Sequence, residues 1–148
     1  EVTRVFSLKM SRDVSSRIFP ESGCDGGFHP QSHSSNEEGV LGFYQINSYH
    51  VGLLPYLLDK LEGHQEGDST LLDKTMVVYG SAMADSNLHN HIRCPLFLVG
   101  GANGQLEGGR HVRAPLGTPM ANVMLDMLHK LGVEDIETFG NSTGTFSI

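Results

Sequence analysis

Two short apolar runs do most to limit what this chain can become. Thr75-Met76-Val77-Val78-Tyr79-Gly80-Ser81 and Pro95-Leu96-Phe97-Leu98-Val99-Gly100-Gly101 are continuous rather than alternating, and each ends in small residues. That pattern predicts strands buried on both faces, which needs helices on either side of a sheet. Candidate helices are present. From about Glu37 to Leu61 apolar residues recur at helical spacing, with Tyr44, Val51, Leu54, Leu58 and Leu61 on one stripe. Pro55 lies inside this stretch, removes a backbone donor and crowds the preceding turn, so a kink near Val51 to Leu54 or two abutting helices is expected. A further helix is expected from Thr118-Pro119, as N-cap and first-turn proline, to a stop at Gly132. It would bury Met120, Val123, Met124, Met127, Leu128 and Leu131.

Thr3 to Met10 alternates polar and apolar residues as a half-buried strand does, and a short strand is expected at about Arg110 to Arg113. Ser11 to Asn36 carries no periodicity. Gly63 to Ser69 reads as a polar connection, Gly100 to Gly104 as a turn, and Glu134 to Ile148 as a surface tail. The order of elements predicts an α/β fold with an open, mostly parallel sheet flanked by helices. In such sheets ligands bind beyond the carboxyl ends of the strands, and the loop after Ser81 lies at such an end.

At 148 residues, 39% hydrophobic and 18% charged, the chain fits a single α/β domain over residues 1–148, or a fragment of one. A formal charge of -7 with no run of Lys or Arg disfavours nucleic acid and anionic membranes as partners. No apolar stretch reaches the roughly 20 residues of a membrane-spanning helix. Glu1-Val2-Thr3-Arg4 has neither an initiator Met nor the order of a signal peptide, so a mature, trimmed or truncated piece is expected. Cys24 and Cys94 are too few for a disulfide framework and read as two lone thiols.

Eight histidines are the compositional excess. His29-Pro30-Gln31-Ser32-His33 sets two imidazoles four residues apart, a spacing that converges on one ion if the segment is helical or sharply turned. His89-Asn90-His91 places alternate side chains on one side of an extended segment, and Asp85 upstream adds a carboxylate. This mixed N/O set suits zinc or another borderline divalent ion. The plainer alternative is that both pairs are solvated loop histidines that only titrate in water. Ser32 and Ser81 are hydroxyls near these histidines, although no Gly-x-Ser-x-Gly elbow is present. His111 lies on the expected strand near Arg113, and Arg110 is a candidate for holding an anionic group. His50 and His129, both on helices, read as structural.

His29-x-x-Ser32-His33, Glu66-Gly67-Asp68-x-Thr70-Leu71-Leu72-Asp73, Tyr79-Gly80-Ser81, Asp85-x-Asn87-x-His89-Asn90-His91, Gly109-Arg110-His111 and Gly140-Asn141-Ser142-Thr143-Gly144 occur in this order. Together they resemble the bacterial HXXSHH domain family, a domain of unknown function, over nearly the whole chain and matching only its C-terminal part. The final histidine of the namesake motif is Ser34 here. A more distant likeness is to the alkaline phosphatase and sulfatase superfamily. Asp73-Lys74-Thr75, the strand to Tyr79, His89 or His91, Arg93-Cys94-Pro95 and the Thr118-Pro119 helix to Gly132 follow its order, while Ser81-Ala82 stands where an Asp-His pair is expected.

The resemblance implies an alkaline-phosphatase-like C-terminal portion in a periplasmic or extracellular protein, acting as a metal-dependent hydrolase of phosphate or sulfate esters. It implies a divalent ion, zinc foremost, held by His29, His33, Asp85, His89 and His91, with a small-molecule or glycan ester as substrate and Arg110 binding it. Ser32, Ser81 and His111 are the candidate catalytic groups. The competing expectation is a non-catalytic binding module on the same scaffold, motivated by Ser34 and Ser81-Ala82; a third is an unstable half-domain.

Overall fold

In the computed structural model the described residues are 3–148, so the reading of Glu1 and Val2 lies outside them. The chain divides into two compact units, one from residues 1–59 and 80–96, the other from residues 60–79 and 97–148.

The first unit is helical. Helix α1 spans Phe28–Ser32, α2 spans Glu37–Gly52 and α3 begins at Leu54 and runs to Glu62. The break between α2 and α3 falls one residue before Leu54-Pro55, as the missing proline donor requires. Asn36 caps α2, its side-chain oxygen accepting the Gly39 N–H at 2.9 Å. The buried face of α2 differs from the apolar stripe expected from the sequence. Gly39, Gly42, Ile46 and His50 face inward, while Tyr44 and Val51 are exposed. Small residues explain the reversal: a Cβ on Gly42 would stand 2.8 Å from Cys24 Sγ, so only glycine lets the helix approach so closely. Phe19, Cys24 and Ile46 form the core here, with Phe28 and Tyr49 packed against it. Cys24 and Cys94 are both free thiols.

The second unit carries a small hairpin, β1 (Gln65–Glu66) with β2 (Ser69–Thr70), paired antiparallel, where a plain connection was expected. Helix α4 (Leu71–Lys74) follows, opened by a capping box in which Thr70 and Asp73 exchange side-chain to backbone hydrogen bonds. Helix α5 (Met120–Lys130) starts one residue after Pro119, with no side-chain cap from Thr118, and is followed by Gly132 at φ +85°. It buries Asn122, Leu125 and Met127, whereas Met120 and Leu131 lie exposed. Asn122 fixes the tail over α5: its Oδ1 accepts the Thr143 N–H, its Nδ2 donates to Thr143 Oγ1, and its carbonyl accepts the Phe146 N–H.

The two apolar runs form strands β3 (Val77–Gly80) and β4 (Leu96–Val99), and here the sequence expectation is overturned. These strands pair only with each other, antiparallel, and the described residues hold two two-stranded sheets and no open parallel sheet. Two physical reasons stand behind the correction. A parallel connection needs a crossover, usually helical, and the 81–95 segment contains no helix, so the chain turns back antiparallel. Burial is also incomplete on both faces: the Tyr79 and Phe97 rings meet across the pair at 5.1 Å, Val78 points to the opposite face, and Val78 at 43% and Phe97 at 40% exposure leave each face partly open where two covered faces were expected. Thr3–Met10 and Arg110–Arg113 form no strand; Val5, Phe6 and Leu8 are exposed. The alternation there was a true pattern with no neighbouring strand to use it.

Candidate functional site

Within the first unit, two segments distant in sequence bring three histidines together. The first is α1. His29 and His33 lie one helical turn apart and share a face. The stretch before α1 braces it. Phe28 N–H donates to the Arg17 carbonyl at 2.9 Å, His29 N–H to the Ser15 carbonyl at 2.8 Å, and a Cβ on Gly27 would meet the Ser16 carbonyl at 2.7 Å. His29 Nδ1 lies 2.8 Å from the Asp13 carbonyl. A carbonyl only accepts, so Nδ1 carries a proton, which in a neutral ring makes Nε2 the nitrogen with the lone pair.

The second segment is the loop between β3 and β4. Asp85 Oδ1 accepts the N–H groups of Asn87 and Leu88, both at 3.0 Å, and the Asp85 carbonyl accepts the Asn90 N–H. This turn presents His89 with a backbone φ of +51°, a left-handed conformation unusual for a residue with a Cβ. Ser86 Oγ donates a 2.8 Å hydrogen bond to the carbonyl of Ser32, the last residue of α1.

As a result His89 Nε2 stands 3.2 Å from His33 Nε2. The His33 ring meets both others edge-on, at 4.7 Å from the His29 centroid and 4.8 Å from that of His89; His29 and His89 lie 6.4 Å apart and nearly parallel. Two neutral imidazoles at this distance need opposite tautomers, one nitrogen donating and the other accepting. The same spacing suits a shared ion, because two nitrogens each about 2.0–2.1 Å from a tetrahedral zinc stand about 3.3 Å apart. The Asp13 carbonyl on His29 Nδ1 is the outer contact that a ligating histidine usually makes. Among the described residues no three such side chains already enclose a common point. The converged unit is the His33–His89 pair, with His29 beside it.

The remaining candidates are placed otherwise. His91 Nδ1 is hydrogen-bonded to the Ala82 carbonyl, which also accepts from Cys94 Sγ at 3.1 Å. Asp85 Oδ1 is occupied in its own turn. Ser32 Oγ donates to the His29 carbonyl at 2.7 Å, and Ser81 Oγ accepts the Met83 N–H at 3.2 Å, so both hydroxyls serve local backbone. His111 and Arg110 belong to the second unit, where the Arg110 guanidinium is 3.9 Å from Glu107. Ser34, in place of the motif's last histidine, donates to Gln31 Oε1 at 3.3 Å.

Sequence reasoning missed two contributors. Ser86 lies inside the Asp85-x-Asn87 motif and drew no notice because its partner is a backbone carbonyl 54 residues away. The Asp13 contact is also main-chain, and no side-chain pattern reports it.

No protein-family model, no curated protein and no solved structure matches the chain. Among the described residues no helix is long and apolar enough to cross a membrane.

Proposed function

We propose that this chain is a metal-dependent hydrolase of phosphate or sulfate esters in which His29, His33 and His89 hold a divalent ion, zinc foremost. The reading takes the chain as part of an HXXSHH-type domain of periplasmic or extracellular location. The observation that carries it is the 3.2 Å approach of His33 Nε2 to His89 Nε2 across 56 residues of sequence, beside a His29 whose Nδ1 donates to the Asp13 carbonyl. Three imidazoles with one position left open form a known catalytic zinc set. Bound there, a divalent ion supplies electrophilic polarisation of an ester oxygen.

The chain's own groups do the positioning. Asp13 fixes the His29 ring, Asp85 shapes the turn that presents His89, and Ser86 fastens that turn to α1. Metal content of untagged protein, measured by mass spectrometry, tests the reading. Stoichiometric zinc that falls several-fold in His33→Ala and in His89→Ala is expected. Metal-free protein that hydrolyses such esters at full rate would overturn it.

A second reading is a non-catalytic binding module on the same scaffold. It is favoured by the hydroxyls: Ser32 Oγ is committed to the His29 carbonyl and Ser34 Oγ to Gln31, so neither is prepared as a nucleophile. Metal bound without any ester hydrolysis would support this alternative.

A further inference from the structure

Beside the histidine cluster the first unit has a shallow groove of about 320 Å³, between the end of α1, the first turns of α2 and the turn at residues 84–87. That volume is at the lower end of the roughly 300–1,000 Å³ usual for ligand sites. Its polar lining is uncharged apart from Asp85 and rich in acceptors, with the side-chain amides of Gln31 and Asn87 as its neutral donors. Three serine hydroxyls line it, and each has its proton committed within the chain: Ser34 donates to Gln31 Oε1, Ser32 to the His29 carbonyl and Ser86 to the Ser32 carbonyl. What they offer a ligand is lone pairs. The Asp85 carboxylate, also in the lining, adds acceptor capacity, and no Lys or Arg borders the groove. Val40 and Phe43 of α2 form its apolar wall.

We propose that this groove takes an uncharged, polyhydroxylated group, whose O–H groups donate to the serine oxygens and whose C–H face rests on Phe43. A sulfate or phosphate is an acceptor and finds no donor side chain from Lys or Arg here, with a carboxylate opposing it. A simple ammonium would match Asp85 but leave the apolar wall unused. The groove adjoins the cluster through Ser32, which lies between His29 and His33 in sequence. On the hydrolase reading, on which this orientation rests, the sugar-like alcohol half of the ester lies in the groove and its anionic half at the histidines.

The test is a nuclear magnetic resonance titration of the full 148-residue chain, isotope-labelled, with three separate probes: methyl glucoside, sulfate and methylammonium. Saturable shifts with the glucoside, confined to amides of residues 31–34, 40–43 and 84–87, are expected, with none there from sulfate. Ser34→Ala and Asn87→Ala should each weaken glucoside binding about three- to ten-fold while the remaining resonances stay in place. Sulfate or methylammonium occupying the groove in preference to the glucoside, glucoside shifts scattered over the surface, or no saturable response would each overturn the proposal. Zinc is titrated into separate samples and read from the ring resonances of His29, His33 and His89, while the glucoside is titrated into metal-free protein and read from the amides of residues 40–43 and 84–87, so failure of the metal reading is seen independently of the groove.

Discussion

Ser86 Oγ and the Ser32 carbonyl, 2.8 Å apart, fasten the turn that carries His89 to the helix that carries His29 and His33. His89 is exposed and its backbone is in the left-handed region, so without a fastening its ring would sample a wide volume. The hydrogen bond therefore acts on geometry more than on stability.

Ser86→Ala removes one half-buried hydrogen bond, and we expect a stability loss of only about 1 kcal/mol. The larger effect should be on zinc affinity, which we expect to fall about ten-fold by calorimetry, because the His33–His89 spacing must then be imposed by the ion. Ser86→Thr keeps the donor and should recover most of the affinity. Equal loss in both variants would show that the hydroxyl has no positioning role.

His50 provides the clearest pH dependence. It is buried among Phe19, Phe28 and Tyr49, and its Nε2 has no hydrogen-bond partner among the described residues. Burial first, and the Arg17 charge second, hold its pKa below the ordinary 6.5. A base with a lowered folded pKa keeps its full stability above the unfolded value and loses stability as pH falls beneath it, because the unfolded chain takes up a proton that the folded one refuses. Unfolding midpoints should thus decline as the pH drops from 7 toward 5. His50→Phe removes the unpaired nitrogen and is expected to flatten that slope and to raise stability at neutral pH by about 1 kcal/mol. An unchanged slope in the variant would assign the pH dependence to other groups.

Gly100 is a position where glycine is required in the second unit. Its φ is +103°, and an added Cβ would stand 2.2 Å from the Thr75 carbonyl and 2.9 Å from that of Leu72. Next to it, Gly101 N–H donates to the Leu72 carbonyl and Ala102 N–H to that of Thr75, so the clash cannot be relieved without breaking the contact between this turn and α4. We expect Gly100→Ala to destabilise the protein by about 2–3 kcal/mol in denaturant titration. Gly104, whose added Cβ would meet nothing within 4 Å, is the control; its φ of +82° alone should cost about 1 kcal/mol on substitution.

What could be read from the sequence was local. The α2–α3 break follows from Pro55, and the end of α5 from Gly132, because both depend on the backbone chemistry of one residue. The pairing of β3 and β4 could not be read in this way, since an apolar run of four residues looks the same in a buried parallel strand and in an antiparallel pair with both faces partly open. The site divides likewise. The His29–His33 spacing announced a shared helical face, but the choice of His89 over His91 depends on a left-handed φ at His89 and on the Ala82 carbonyl that takes His91. Neither leaves a trace in the residue types.

Asp85 tests that division, because the residue fits two roles that predict different variants. As a metal ligand it would act through its charge, and Asp85→Asn would lower zinc affinity as strongly as Asp85→Ala. As the residue that shapes the turn it acts through Oδ1, which accepts from Asn87 and Leu88, and an asparagine oxygen can accept the same two N–H groups. The geometry favours the second role. We therefore expect Asp85→Asn to keep zinc affinity within about two-fold, which is under 0.5 kcal/mol. Asp85→Ala should lower it about ten-fold, with increased exchange of the Asn87 and Leu88 amides. Parallel losses in the two variants would return Asp85 to the ligand set and would mean that the turn rearranges when the ion binds.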